Sequence, residues 1–331
     1  MSGQHKDLSD LDPDIQKFSE FLSAGYGQYG SIEALAPEDL REVCSKVRHP
    51  LTLGGPKMAS TTEILVSFDH YTVPIRVYSP HGMSNQPALI YLHGGGWTVF
   101  SIDTHDRIMR EYAERAGIAV IGVDYSLSPE AKFPKALYEI TGVVKWIKAH
   151  ANKLGIDSAR LAIGGDSAGA NLTVSACVAL REEGELEGVQ AMLLNYGAYG
   201  GSYESLSHRK YGSGGYILDT VELKSFWDNY LGRSIDKYNQ LARPILAELH
   251  ALPSAFLCIP ECDILYSENI LMYQRLVEAG VDTDYIVYQG ATHSFLEAVS
   301  MATVAETALQ DGARWLRTKL SNLLSSTPPA Q

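Results

Sequence analysis

No stretch of the 331 residues approaches the roughly 20 consecutive apolar positions that a membrane-spanning helix needs. Residues 1–13 are polar and acidic and lack the apolar core of a secretory leader. Positive charge is in short supply. The 27 lysines and arginines face 39 aspartates and glutamates, a formal net charge of −12. That balance excludes nucleic acid or an anionic membrane held by bulk attraction. Cysteine is scarce, and four in a chain of this length make no disulfide framework. Cys258 and Cys262 stand four apart, but nothing at finger-like spacing accompanies them, so no metal is expected. There are no internal repeats. The Gly-Lys-Ser/Thr ending of a phosphate loop and the spaced glycines of a dinucleotide fingerprint are missing, so no cofactor is expected either. What remains is a cytoplasmic globular protein acting on a small molecule.

What the sequence does have is alternation. Residues 62–68 and 73–79 alternate apolar and polar positions around a turn, as an antiparallel pair does. Apolar runs of strand length follow at 88–92, 119–123, 161–164, 189–195, 254–259 and 284–288. Helical patterns lie between and after them at 104–116, 134–151, 170–180, 268–280 and 304–324. Strand and helix in turn predict a mostly parallel sheet with helices on both faces. Two helical segments, 14–22 and 37–47, precede the sheet and read as a lid. From Tyr196 to about Leu231 the alternation breaks into glycine, serine and eight aromatic residues, an insertion over the end of the sheet. Tyr196, Tyr199 and the earlier Trp97 are candidates for a pocket wall, though an insertion's own core is an equal reading for such aromatics. The organisation is therefore 1–53 as N-terminal cap helices, 54–196 with 232–324 as the core, 197–231 as a cap insertion and 325–331 as a disordered tail.

The chemistry-bearing stretch is Gly165-Asp166-Ser167-Ala168-Gly169, between an apolar strand and a small-residue helix. Strand, sharp turn and helix around G-x-S-x-G present a serine hydroxyl on a tight bend. That hydroxyl is a weak nucleophile until an imidazole takes its proton. The imidazole in turn needs a carboxylate to fix its tautomer and balance its charge. Of ten histidines, only His93 and His293 stand just after a predicted strand. His93 opens the glycine run His93-Gly94-Gly95-Gly96, which suits an oxyanion loop: Gly94 and Gly95 are expected to donate N–H groups, joined by Ala168 after the nucleophile. His293 is left as the base. Glu261 and Asp263 both stand near the end of the preceding strand as candidate orienting acids. Asp166 is expected to brace the elbow, and Tyr125 and Glu130 to buttress the glycine loop.

Taken together, these residues resemble the hormone-sensitive-lipase-like family of α/β-hydrolases, in the branch whose elbow reads G-D-S-A-G. Residues 92–97, 102–110, 124–134, 164–170, 195–200 and 288–296 are similar to the family's bacterial acetyl esterases. The resemblance implies an α/β-hydrolase fold with a mostly parallel eight-stranded sheet, flanking helices and a helical cap. It selects Asp263 as the acid of a Ser167–Asp263–His293 triad. It further implies a serine carboxylesterase acting on short-chain acyl esters without a cofactor, with homodimerisation as a family expectation. A deacetylase of acetylated sugars or small metabolites is the alternative activity. A non-catalytic ligand-binding protein on the same scaffold is the remaining reading. The chain departs from the family's usual D-P-L by Asp263-Ile264-Leu265, and from Y-R-L-A-P-E by Tyr125-Ser126-Leu127-Ser128-Pro129-Glu130.

Overall fold

In a computed structural model that describes residues 8–82 and 84–321, the apolar runs become the strands of one sheet. They are β1 (Ser60–Phe68), β2 (Tyr71–Ser79), β3 (Gln86–Leu92), β4 (Ala119–Val123), β5 (Ile156–Asp166), β6 (Val189–Asn195), β7 (Ser254–Cys262) and β8 (Thr283–Thr292). The helices are α1 (Pro13–Gly27), α2 (Pro37–Thr52), α3 (Asp106–Ala116), α4 (Lys135–Leu154), α5 (Ala168–Glu182), α6 (Leu206–Tyr211), α7 (Thr220–Tyr230), α8 (Tyr266–Glu278) and α9 (Thr303–Leu320). The expected tail at 325–331 lies outside the described residues.

Strand order is β1-β2-β4-β3-β5-β6-β7-β8. β2 runs antiparallel to β1 and β4, and every pairing from β4 to β8 is parallel. The exposure pattern follows from position. β4 is buried at every residue, as a strand covered on both faces must be, whereas β1 is the exposed edge.

Register delivers the chemistry to one place. Leu92 pairs with Gly165, so the loops that follow β3 and β5 leave the sheet side by side. Cys262 pairs with Thr292, which makes Asp263 and His293 neighbours although 30 residues separate them. Parallel strands put all these exits at their carboxyl ends, where open α/β sheets collect functional groups. α5 must start almost on top of β3 to seat the serine. A Cβ at Gly165 or Gly169 would overlap the carbonyl of Leu92, so only glycine permits the approach.

Between β6 and β7 no strand forms from 196 to 253. This segment holds α6, α7 and two short 3₁₀ turns, Ser234–Tyr238 and Pro244–Leu246. The N-terminal pair α1 and α2 packs against the turn that follows β8 and against α3. Asp12 caps α1 with its carboxylate while its N–H bonds the carbonyl of Gly290, tying the helix start to the end of β8.

Candidate active site

Ser167 occupies the bend between β5 and α5 at φ 54° and ψ −115°. That conformation costs a non-glycine residue about 1–3 kcal/mol and persists only where its surroundings over-determine it. Here they do. The Ser167 N–H bonds Asn195 on β6, and its carbonyl accepts from Asn171 and Ala198. The bend aims Oγ at Nε2 of His293, 2.9 Å away, and Nδ1 of the same ring lies 2.7 Å from Oδ2 of Asp263. The other Asp263 oxygen accepts the Leu265 N–H at 2.8 Å, so this carboxylate is held without the proline usual after it. All three side chains are buried. Burial by itself would lower the His293 pKa. The Asp263 carboxylate, with Asp166 and Glu222 farther off, outweighs it and holds the ring above its ordinary 6.5. Glu261 turns away to accept the Gly290 N–H at 3.0 Å and does not face His293.

The glycine loop differs from expectation at its first donor. The Gly94 N–H is already given to Oδ1 of Asp166, 3.1 Å away, and a Cβ at Gly94 would overlap the other oxygen of that carboxylate. Gly94 therefore anchors the loop to the elbow and does not present its N–H to a substrate. Asp166 also accepts the Tyr91 hydroxyl at 2.9 Å and meets His105 Nε2 at 3.2 Å. Burial disfavours charge on both members of the Asp166–His105 pair. Their mutual attraction prevails, lowering Asp166 and raising His105.

His93 turns inward, with Nδ1 2.7 Å from the Gly94 carbonyl and its ring stacked on Tyr125 at 4.4 Å. Burial, with His105 adding to it, pushes its pKa down to about 3, so the ring is neutral. The Tyr125 hydroxyl holds the His93 carbonyl at 2.7 Å. Glu130 works through an intermediary. It pairs with Arg41 of α2 at 2.6 Å, and Arg41 bonds the carbonyls of Thr98 and Ser128.

The three aromatic residues expected to line a pocket are all fully buried. Trp97, at φ 57°, stacks on Tyr230 of α7 at 4.3 Å and meets Trp227 at 4.5 Å, so it fastens the loop to the inserted segment. Tyr196 sets its ring edge-on to His293 at 5.1 Å. Tyr199 packs over Gly197, and its N–H is held by the buried carboxylate of Glu268 at 2.6 Å. Sequence reasoning passed over Tyr91, His105, Arg41 and Glu268. The signal for His105 was present, since it lies in one of the stretches similar to the family, but a histidine beside a helix start says nothing about a carboxylate 61 residues away. Among the described residues no group of histidine, cysteine or acidic side chains is arranged to hold a metal ion.

A parallel sheet with a serine elbow after β5, an acid after β7 and a histidine after β8 defines a class, and the chain belongs to it: the alpha/beta hydrolase fold family, whose model matches residues 89–297. Over 275 residues it is 36% identical to the acetyl esterase of Salmonella typhi, covering 80% of this chain and 82% of that relative. Among solved structures it is similar to a thermostable carboxylesterase cloned from a metagenomic library, with TM-score 0.84, 30% identity, and coverage of 87% of this chain and 99% of that one. The hyperthermophilic esterase of the archaeon Pyrobaculum calidifontis gives TM-score 0.87 at 29% identity, covering 93% and 98%. No helix among the described residues is long and apolar enough to cross a membrane.

Proposed function

We propose that this protein hydrolyses short-chain acyl esters, acetyl to roughly hexanoyl, through an acyl-enzyme intermediate on Ser167. The observation that carries the proposal is the chain of two contacts from Ser167 Oγ through His293 to Asp263, at 2.9 and 2.7 Å. His293 Nε2 takes the hydroxyl proton as Oγ attacks the ester carbonyl carbon. The resulting oxyanion is held by backbone N–H groups of Gly95 and Ala168, with Gly96 in place of Gly94, whose N–H is given to Asp166. As the tetrahedral adduct collapses, His293 returns the proton to the departing alkoxide and the alcohol leaves. Water then attacks the acyl-serine along the same route, and the carboxylic acid is released. Throughout, Asp263 keeps the proton of the neutral imidazole on Nδ1 and balances the cation that forms.

The chain is a carboxylic ester hydrolase, and the acetyl esterase and carboxylesterase relatives support the acyl chemistry. Tyr196, buried with its ring edge-on to His293 at 5.1 Å, supports a short acyl group over a long one. α1, α2 and the segment between β6 and β7 act as the cap. Cytoplasmic residence and a homodimer belong to the same reading, supported by four free, buried cysteines and by the open edge at β8. The test is a p-nitrophenyl ester series from acetate to palmitate. Acetate to hexanoate are expected to give the highest kcat/KM, and Ser167→Ala to abolish turnover. Best turnover of palmitate overturns the short-chain reading.

A further inference from the structure

One charged side chain of the N-terminal helices is buried against both halves of the machinery. Arg48 on α2 is 4% exposed. Its Nη1 stands 2.7 Å from Oε1 of Glu297, itself 5% exposed, and its Nε donates to the Tyr26 hydroxyl of α1 at 3.2 Å. Glu297 is four residues beyond His293, in the 3₁₀ turn Phe295–Ala298 that carries the histidine loop back to the body. On its other side the guanidinium lies 4.9 Å from the centre of the Phe100 ring. That ring packs on the oxyanion loop so closely that a Cβ at Gly95 would fall 2.8 Å from it. The spacing of seven residues puts Arg48 on the same helix face as Arg41, which bonds Thr98 in the same loop.

We infer that Arg48 is a positioning residue: wedged between Glu297 and Phe100, it sets the distance between the loop bearing His293 and the loop bearing the oxyanion donors. The inference rests on the esterase reading above. A planar guanidinium suits the place because it pairs with a carboxylate at its edge and lies over an aromatic ring with its face. Neither loop touches Arg48 through a reacting atom, so its loss leaves substrate contacts in place while the two loops drift. A misplacement of about 1 Å can cost about 10²-fold in rate.

The experiment compares the parent with Arg48→Lys, Arg48→Met and the double variant Arg48→Met/Glu297→Leu, using p-nitrophenyl acetate. Arg48→Met strands a buried carboxylate, and its folding is watched by circular dichroism. The double variant removes both charges and is expected to fold near parental stability, since apolar pairs commonly replace buried ion pairs without loss. Arg48→Lys keeps the charge and serves as a second folded reference. The expected result is a kcat reduced by about 10–100-fold in the double variant with KM within about threefold of parent, and an intermediate kcat in Arg48→Lys. Parental kcat in a folded double variant, or loss confined to KM, overturns the inference. The downfield Nδ1 proton resonance of His293, expected to shift or broaden in the variants, reads the same positioning without turnover. An inactive parent defeats the esterase reading, and an unmoved resonance defeats the role of Arg48.

Discussion

At the scale of single residues the site is a problem in keeping one imidazole neutral and aimed. His293 can accept a proton only in its neutral form, and Asp263 raises its pKa above 6.5 against the pull of burial. The neutral form is therefore lost as pH falls through that raised value, and the acid limb of kcat/KM is expected to inflect above 6.5. Asp263→Asn removes the group that raises the pKa and leaves the burial that lowers it. It is expected to reduce kcat by about 10⁴-fold and to move the residual acid limb to lower pH. A pH–rate profile of the variant with an unmoved limb would contradict the assigned role. Ser167 and His293 were candidates from the sequence because their residue types and strand-end positions are local facts, whereas Glu261 and Asp263 stand two apart and only the contact at 2.7 Å with His293 Nδ1 separates them. The role of Gly94 was not legible. Its amide looks like its neighbours' until Asp166, 72 residues later, is brought to 3.1 Å from it.

Among elements, the glycine loop after β3 is fixed from three directions: by Asp166 beneath, by Arg41 of α2 beside it and by α7 above. The contact with α7 is the stack of Trp97 on Tyr230, 4.3 Å apart and nearly parallel at 7°. Tyr230→Ala is expected to destabilise the protein by about 3–5 kcal/mol, the usual cost of truncating a buried aromatic side chain. It should also lower kcat by freeing the loop. Urea unfolding reads the first effect and steady-state kinetics the second; a stability loss with parental kcat would show that α7 does not position the loop. Strand and helix locations were readable from periodicity, and β4 and β6 fall on the residues expected from their apolar runs. The ends of the other strands were less readable, because pairing with a neighbour extends them past their apolar cores. β5 begins at Ile156 through its contact with Gln86, five residues before the run that announced it. The segment between β6 and β7 is held by contacts of the same distant kind. Its 3₁₀ turns carry no periodic signal; the Ile245 N–H of one bonds the Tyr199 carbonyl, and Arg243 donates to the Lys237 carbonyl of the other.

For the whole molecule, stability is tied to pH through carboxyls that the fold buries. Burial lifts Glu268 from 4.5 to about 7, while the N–H groups of Tyr199 and Gly201 moderate the rise. A carboxyl whose folded pKa exceeds its unfolded one contributes its full stability below the unfolded value and loses it as pH rises through the folded one. The stability of the parent relative to Glu268→Gln is thus expected to fall as pH climbs from about 4.5 to 7 and to level off above. Thermal unfolding of both proteins at pH 5 and pH 8 measures this; an equal difference at the two values would contradict it.

By itself the sequence determined the layered sheet, the order of its elements, the serine elbow with its strand-end candidates for base and acid, and the class of chemistry. Each of these depends on residue type and on neighbours along the chain. Only the tertiary structure decided that the Gly94 amide is given to Asp166, that Trp97 and Tyr199 are packing, and that Arg41 and Arg48 reach from the first helices to the loops around the triad. Those outcomes depend on which donor meets which acceptor across a register such as Cys262 with Thr292, and contacts between residues tens to hundreds of positions apart leave no periodic trace in the chain.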